Sequence, residues 1–180
     1  MPAQTWMAVA NSPVSGAGQG AGTAYASSNS AADVSPAPQF MSQTWGPMYT
    51  GQKWRFTAYA IASNTSTPTL NLGIYYGGVA GTALCTSGTI TTTTSMSAWQ
   101  WLVVVEAEVI TLGSSGTIRA YGWVDIPTSA TAVTRQSMSS TSQDVTVNTG
   151  TNSALTFGAT WGASSSSNTL TCKGFKIENG

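Results

Sequence analysis

The stretch that most constrains this chain is 98–126, AWQWLVVVEAEVITLGSSGTIRAYGWVDI, where two long alternating runs meet across a short glycine-bounded turn. Read with a period of two, Trp99, Trp101, Val103, Val105, Ala107 and Val109 fall on one face, and Gln100, Leu102, Val104, Glu106, Glu108 and Ile110 on the other. After Gly113-Ser114-Ser115-Gly116, Ile118, Ala120, Gly122, Val124 and Ile126 alternate with Thr117, Arg119, Tyr121, Trp123 and Asp125. Successive strand side chains point to opposite sides of a sheet, so this pattern predicts a long antiparallel hairpin at the centre of an all-β domain.

Composition points the same way. Charged residues make up 7% of the chain, against roughly 25% in ordinary soluble proteins. With 28 Thr and 24 Ser, the polar surface is built from hydroxyls. Threonine favours strands and serine favours turns. Six basic and six acidic residues cancel, which leaves no basic stripe for nucleic acid and no cationic amphipathic helix for a membrane surface. A neutral, charge-poor surface offers little self-repulsion and suits a subunit of an assembly. The N-terminal MPAQTWMAVANS has neither a positively charged start nor a long apolar run, so the expected site of synthesis is the cytoplasm, with exit by lysis or within a particle.

Along the chain, residues 1–38 are rich in Ala, Ser, Gly and Pro and read as an extended arm. Trp6 and Tyr25 are its aromatic anchors, either docking on a neighbouring subunit or packing on their own. The folded body is expected over 39–180. Within it Trp54, Phe56, Ala58 and Ala60 alternate with Lys53, Arg55, Thr57 and Tyr59, and after the loop Ser63 to Thr69 the inner face continues with Leu70, Leu72, Ile74 and Tyr76. These two runs read as a second hairpin, and 153–161 with 169–178 as a last one. Ser137 to Ser142 reads as a polar loop. In the last run the parity changes between Leu170/Cys172 and Phe175/Ile177, which predicts a bulge near Lys173-Gly174. Leu70 to Gly77 and Leu155 to Gly162 share the pattern Leu-x-apolar-Gly-x-x-aromatic-Gly. Eight to ten strands at this spacing predict a jelly-roll-like two-sheet antiparallel β-sandwich with an extended N-terminal arm; an immunoglobulin-like sandwich is the alternative.

No catalytic, cofactor-binding or metal-binding motif stands out. The chain has no histidine, which removes the commonest general base and metal ligand. Cys85 and Cys172 belong to no Cys-x-x-Cys pattern; they could pair, but small buried thiols are the favoured reading. Glu106 and Glu108 share a strand face at a spacing a glycosidase could use, yet cross-strand pairing with Arg119, Arg55 or Lys53 explains them more simply. Trp54, Trp99, Trp101 and Trp161 share faces with aliphatic residues, as core positions do. Trp123, Tyr121, Tyr59 and Tyr75 fall on the polar parity and could stack on a glycan or on a partner subunit. Asn64-Thr65-Ser66 matches the glycosylation acceptor pattern, which arises easily by chance in a chain rich in Ser and Thr.

The runs LNLGIYYGGVAGTAL (70–84), SATAVT (129–134) and LTFGATWGASSSSNTLTCKGF (155–175) resemble small Ser/Thr/Gly-rich virion proteins of tailed bacteriophages. The resemblance covers about residues 50–178 and rests on Gly and aromatic punctuation of strands. It implies a jelly-roll domain, commonly trimeric, carried on the capsid as a decoration (head auxiliary) protein or on the tail as a structural or receptor-binding piece. The implied location is the virion, with the major capsid protein or another virion protein as partner and no catalytic residues. A tail-borne receptor-binding or carbohydrate-binding module is the alternative function. Leu102, Glu106, Glu108, Arg119, Tyr121 and Trp123, with Trp6 and Tyr25 of the arm, are the residues expected at interfaces, because apolar side chains share the hairpin's second face with its charges.

Overall fold

The computed structural model describes residues 48–180 except 152, 164 and 180, together with the backbone of 32–33 and 39–40. Trp6 and Tyr25 lie outside the described residues. All regular structure among the described residues is β: β1 (Ala32–Asp33), β2 (Gln39–Phe40), β3 (Lys53–Ser63), β4 (Thr69–Tyr76), β5 (Thr82–Thr86), β6 (Ile90–Thr91), β7 (Trp99–Thr111), β8 (Gly116–Pro127), β9 (Val133–Ser139), β10 (Val145–Val147), β11 (Ala154–Trp161) and β12 (Thr169–Asn179). Every pairing is antiparallel, in the order β1-β11-β4-β5-β9-β8-β7-β3-β12, with β10 on β8, β2 on β11 and β6 on β4.

The sheet is almost parted at one place. β5 and β9 meet only at Thr86↔Ser139, and the apolar faces on either side of this seam belong to a single core. From β3, β7 and β8 come Trp54, Phe56, Trp101, Val103, Val105, Ile118 and Val124; from β4 and β11 come Leu70, Leu72, Ile74, Leu155, Phe157 and Trp161. The sheet thus turns back on itself in the manner of a β-sandwich. Each of these side chains contributes about 1.5–3 kcal/mol on full burial, so in a chain this poor in charge the two inner faces carry the fold.

The central hairpin forms as the alternation predicts. β7 and β8 pair from Leu102↔Asp125 to Thr111↔Thr117, and the turn uses Gly113 at φ +115, a backbone conformation glycine adopts without strain. The Thr149 hydroxyl accepts from the Gly113 N–H at 2.9 Å and secures that turn. The expected bulge is also present, as a register shift between Cys172 and Gly174 in the β12–β3 pair.

Two expected hairpins are not hairpins. β3 pairs with β7 and β12, whereas β4 pairs with β11, β5 and β6; β3 and β4 are therefore joined by an arch that carries the chain from one half of the sheet to the other. Asn64, 3% exposed, explains the diversion. Its Nδ2 donates to Thr92 Oγ1 (2.8 Å) and to the Thr93 carbonyl (3.0 Å), and its Oδ1 accepts from the Met96 N–H (3.0 Å). A side chain that fully committed ties the arch to the 92–96 loop in place of a tight turn. β11 and β12 are joined by an arch of the same kind. Since β3 pairs β12 and β4 pairs β11, the two arches lie side by side.

The repeated octapeptides are each other's partners. Gly73 faces Gly158, Leu70 faces Trp161 and Tyr76 faces Leu155, so each leucine sits opposite the other segment's aromatic residue and the pattern is self-complementary. A Cβ on Gly73 or Gly158 would meet Tyr75 Cε2 at 2.8 or 2.7 Å. The Tyr75 ring covers both glycines, which is why this residue, expected to point outward, is half-buried. The polar loop expected at Ser137 to Ser142 is partly strand, because β9 runs to Ser139 on the free edge of β8.

Candidate functional site

The outer face of β3, β7, β8 and β9 gathers every interface residue expected within the described region. Register sets the rows. Lys53, Glu108 and Arg119 lie across from one another; then Arg55, Glu106, Tyr121 and Ser139; then Thr57, Val104, Trp123 and Ser137; then Tyr59, Leu102, Asp125 and Arg135. Cross-strand partners point to the same side. Val104, only 4% exposed, forms the centre, while Tyr59 and Tyr121 stand out at 58% and 59% exposure.

Charge is concentrated here. Lys53, Arg55, Arg119 and Arg135 are four of the chain's six basic residues, and Glu106, Glu108, Asp125 and Asp144 four of its six acidic ones. Arg119 is held by Asp144 rather than by the two glutamates expected to pair with it, with Nε donating at 2.8 Å and Nη2 at 3.3 Å. The reason is geometric: β10 lies along β8 and brings Asp144 into two-pronged reach of the guanidinium, while Lys53 approaches Glu108 at 3.9 Å. That fork raises the Arg119 pKa from its ordinary value, chiefly through the hydrogen bonds to Asp144. Arg135 makes the same fork on Asp125 at 2.7 and 3.0 Å, with the same upward effect on its pKa.

Trp123 is not the open platform its parity suggested. The Arg135 guanidinium lies 4.8 Å from its ring centroid, close enough for a cation–π contact that occupies the ring. Glu106 is exposed and its Oε2 sits 3.5 Å from the Tyr121 hydroxyl. The two glutamates lie on one open strand face, tied to Tyr121 and Lys53, an arrangement suited to contact across a flat surface. No group of three or more His, Cys, Asp or Glu that could hold a metal occurs among the described residues. Cys85 and Cys172 are buried and form no disulfide; burial pushes the Cys85 thiol up to about 12, partly offset by a backbone hydrogen bond at Ile74. Neither is a ready nucleophile. Among the described residues no helix is long and apolar enough to cross a membrane, which leaves β-barrels unaddressed.

Sequence reasoning missed Arg135, Asp125 and Asp144 as members of this face. The parity of 117–126 already placed Asp125 beside Trp123. Arg135 and Asp144 carried no local signal, because only the pairing of β9 and β10 with β8 brings them in. The chain matches no family model, no curated protein and no solved structure.

Proposed function

We propose that this chain is a non-enzymatic virion structural protein, a decoration protein of a phage head that trimerises through the outer face of β3, β7, β8 and β9. One observation carries the reading: eight of the twelve charged residues of an otherwise hydroxyl-surfaced protein are collected, as equal numbers of each sign, around a strip of Tyr59, Leu102, Val104, Tyr121 and Trp123. Internally paired charges fix orientation at an interface without a net field, and the apolar strip supplies association that salt does not screen. The side-by-side arches support a jelly-roll winding, in which strand pairs are rolled up together. Residues 1–38 then serve as the arm that engages the capsid lattice or a neighbouring subunit.

The test is the number of copies per particle, measured by quantitative mass spectrometry of purified virions that encode the chain. Hundreds of copies fit a head decoration; a handful, or none, overturns it. A variant lacking residues 1–38 should fold and lose particle occupancy, and unchanged occupancy would remove the arm from the account.

A further inference from the structure

The seam at Thr86↔Ser139 opens on the outer side into a cleft of about 590 Å³. Its walls carry Thr86, Ser87, Gln136, Ser137, Ser139 and Thr141, and no charged side chain lines it. We propose that this cleft is a binding site for a neutral carbohydrate. The cleft shares Ser137 and Ser139 with the outer face of β9, so it lies at the margin of the proposed subunit contact, with its β5 wall outside that contact.

Three properties select the ligand class. The volume falls in the range of small-ligand sites, roughly 300–1,000 Å³, enough for one or two sugar rings. The lining offers no cation for a phosphate or carboxylate and no anion for a metal or amine, so a charged ligand would leave its charge unpaired in a concave site. What the walls do offer is the hydroxyls of Thr86, Ser137, Ser139 and Thr141, each able both to donate and to accept, the same chemistry a sugar ring presents; the Ser87 hydroxyl is committed to the Leu72 N–H and the Gly88 carbonyl and shapes the wall only. Gln136 is fixed for this purpose. Its Nε2 donates to the Ser87 carbonyl across the seam, which holds the amide in place.

The floor fits the same ligand. Cys85 closes it at 1% exposure, an inert apolar base beneath the polar walls. Tyr121 lies across from Ser139, but its hydroxyl reaches toward Glu106 of β7, away from the cleft, and its ring is not part of the walls. Hydroxyl walls, in place of the aromatic platform expected from sequence, hold the sugar.

The probes are glucose, galactose, mannose and N-acetylglucosamine and their linear trisaccharides, titrated into the isotopically labelled full chain and followed by amide chemical shifts. At least one should give saturable shifts centred on residues 83–88 and 136–141, unchanged in about 0.5 M NaCl because no ion pair is involved. Ser139→Phe and, from the loop that follows β9, Thr141→Phe should each weaken binding by roughly tenfold or more while keeping the wild-type thermal transition. The proposal is overturned if no probe gives saturable shifts, if the shifts centre on Tyr59 and Leu102 instead of the seam, or if a folded Thr141→Phe binds as wild type does. Virion copy number reads assembly and the titration reads the cleft, so failure of one is distinguishable from failure of the other.

Discussion

Gly122 offers the sharpest test of the packing account. It sits on the inner parity of β8, opposite Val105 of β7. A Cβ there would lie 2.0 Å from the Val104 carbonyl oxygen and 2.7 Å from Val105 Cα, where ordinary non-bonded contact begins at roughly 3.5 Å. The obstructing atoms are backbone in the middle of the β7–β8 ladder, so no rotamer change relieves the clash. β7 and β8 must move apart locally. Overpacking strain of about 1–3 kcal/mol adds to one weakened ladder bond of about 1 kcal/mol, so Gly122→Ala should cost about 3 kcal/mol. At roughly 2–4 °C per kcal/mol for a domain of this size, the melting temperature should fall by about 6–12 °C. Gly158→Ala provides the comparison, because its nearest obstacles are the Tyr75 ring and Val79 Cγ1. Side chains on an outer face can swing aside, and the expected cost is about 1 kcal/mol. Differential scanning calorimetry of both variants decides the matter. A Gly122→Ala melting temperature close to wild type, or a larger loss for Gly158→Ala, would refute the assigned register.

Other expectations concern buried polar groups. Asn64→Ala removes both donors to the 92–96 loop and strands the buried Met96 N–H, so urea unfolding should show a loss of about 2–4 kcal/mol. Because the Asn64 amide is buried and fully engaged, expression in a glycosylating host should leave that site unmodified by mass spectrometry. Stability should fall at high pH. The Cys85 thiol is raised from 9.0 to about 12 and burial raises Tyr75 and Tyr76 as well. The unfolded chain releases these protons first, so the contribution is complete below pH 9 and is lost as pH climbs toward 12, at about 1.4 kcal/mol per unit for a single group. Denaturant midpoints measured from pH 8 to 11 should decline, and iodoacetamide should label neither cysteine of the folded chain at pH 8.

The faces of the strands were legible in the sequence and their partners were not. Period-two alternation fixed which side of β3, β7 and β8 enters the core, and the parity change at 172–175 located the bulge, because both are properties of one strand. Whether β3 turns into β4 or arches across to the other half of the sheet depends on Asn64 meeting residues about thirty positions away. The matching octapeptides did hold a pairing signal: a leucine placed opposite an aromatic residue in each direction, with a glycine at the centre, is what an antiparallel self-match requires. The candidate face divided in the same way. Leu102, Glu106, Glu108, Arg119, Tyr121 and Trp123 were found from alternation alone, whereas Arg135 and Asp144 arrive through the pairing of β9 and β10. The seam cleft left no trace, since serines and threonines carry no distinguishing pattern in a chain that holds fifty-two of them.

Trimerisation as proposed covers the outer face of β3, β7, β8 and β9 with another subunit. Hydroxyl-radical footprinting of the full chain measures this most directly, because Tyr59 and Tyr121 are 58% and 59% exposed in the isolated subunit and tyrosine rings are readily oxidised. Both should be strongly protected in the oligomer and become labelled when Leu102→Lys, at a half-buried position of the same face, splits it into folded monomers. Labelling of both tyrosines in the wild-type protein at the rate of the monomeric variant, with a monomer mass by sedimentation, would contradict it.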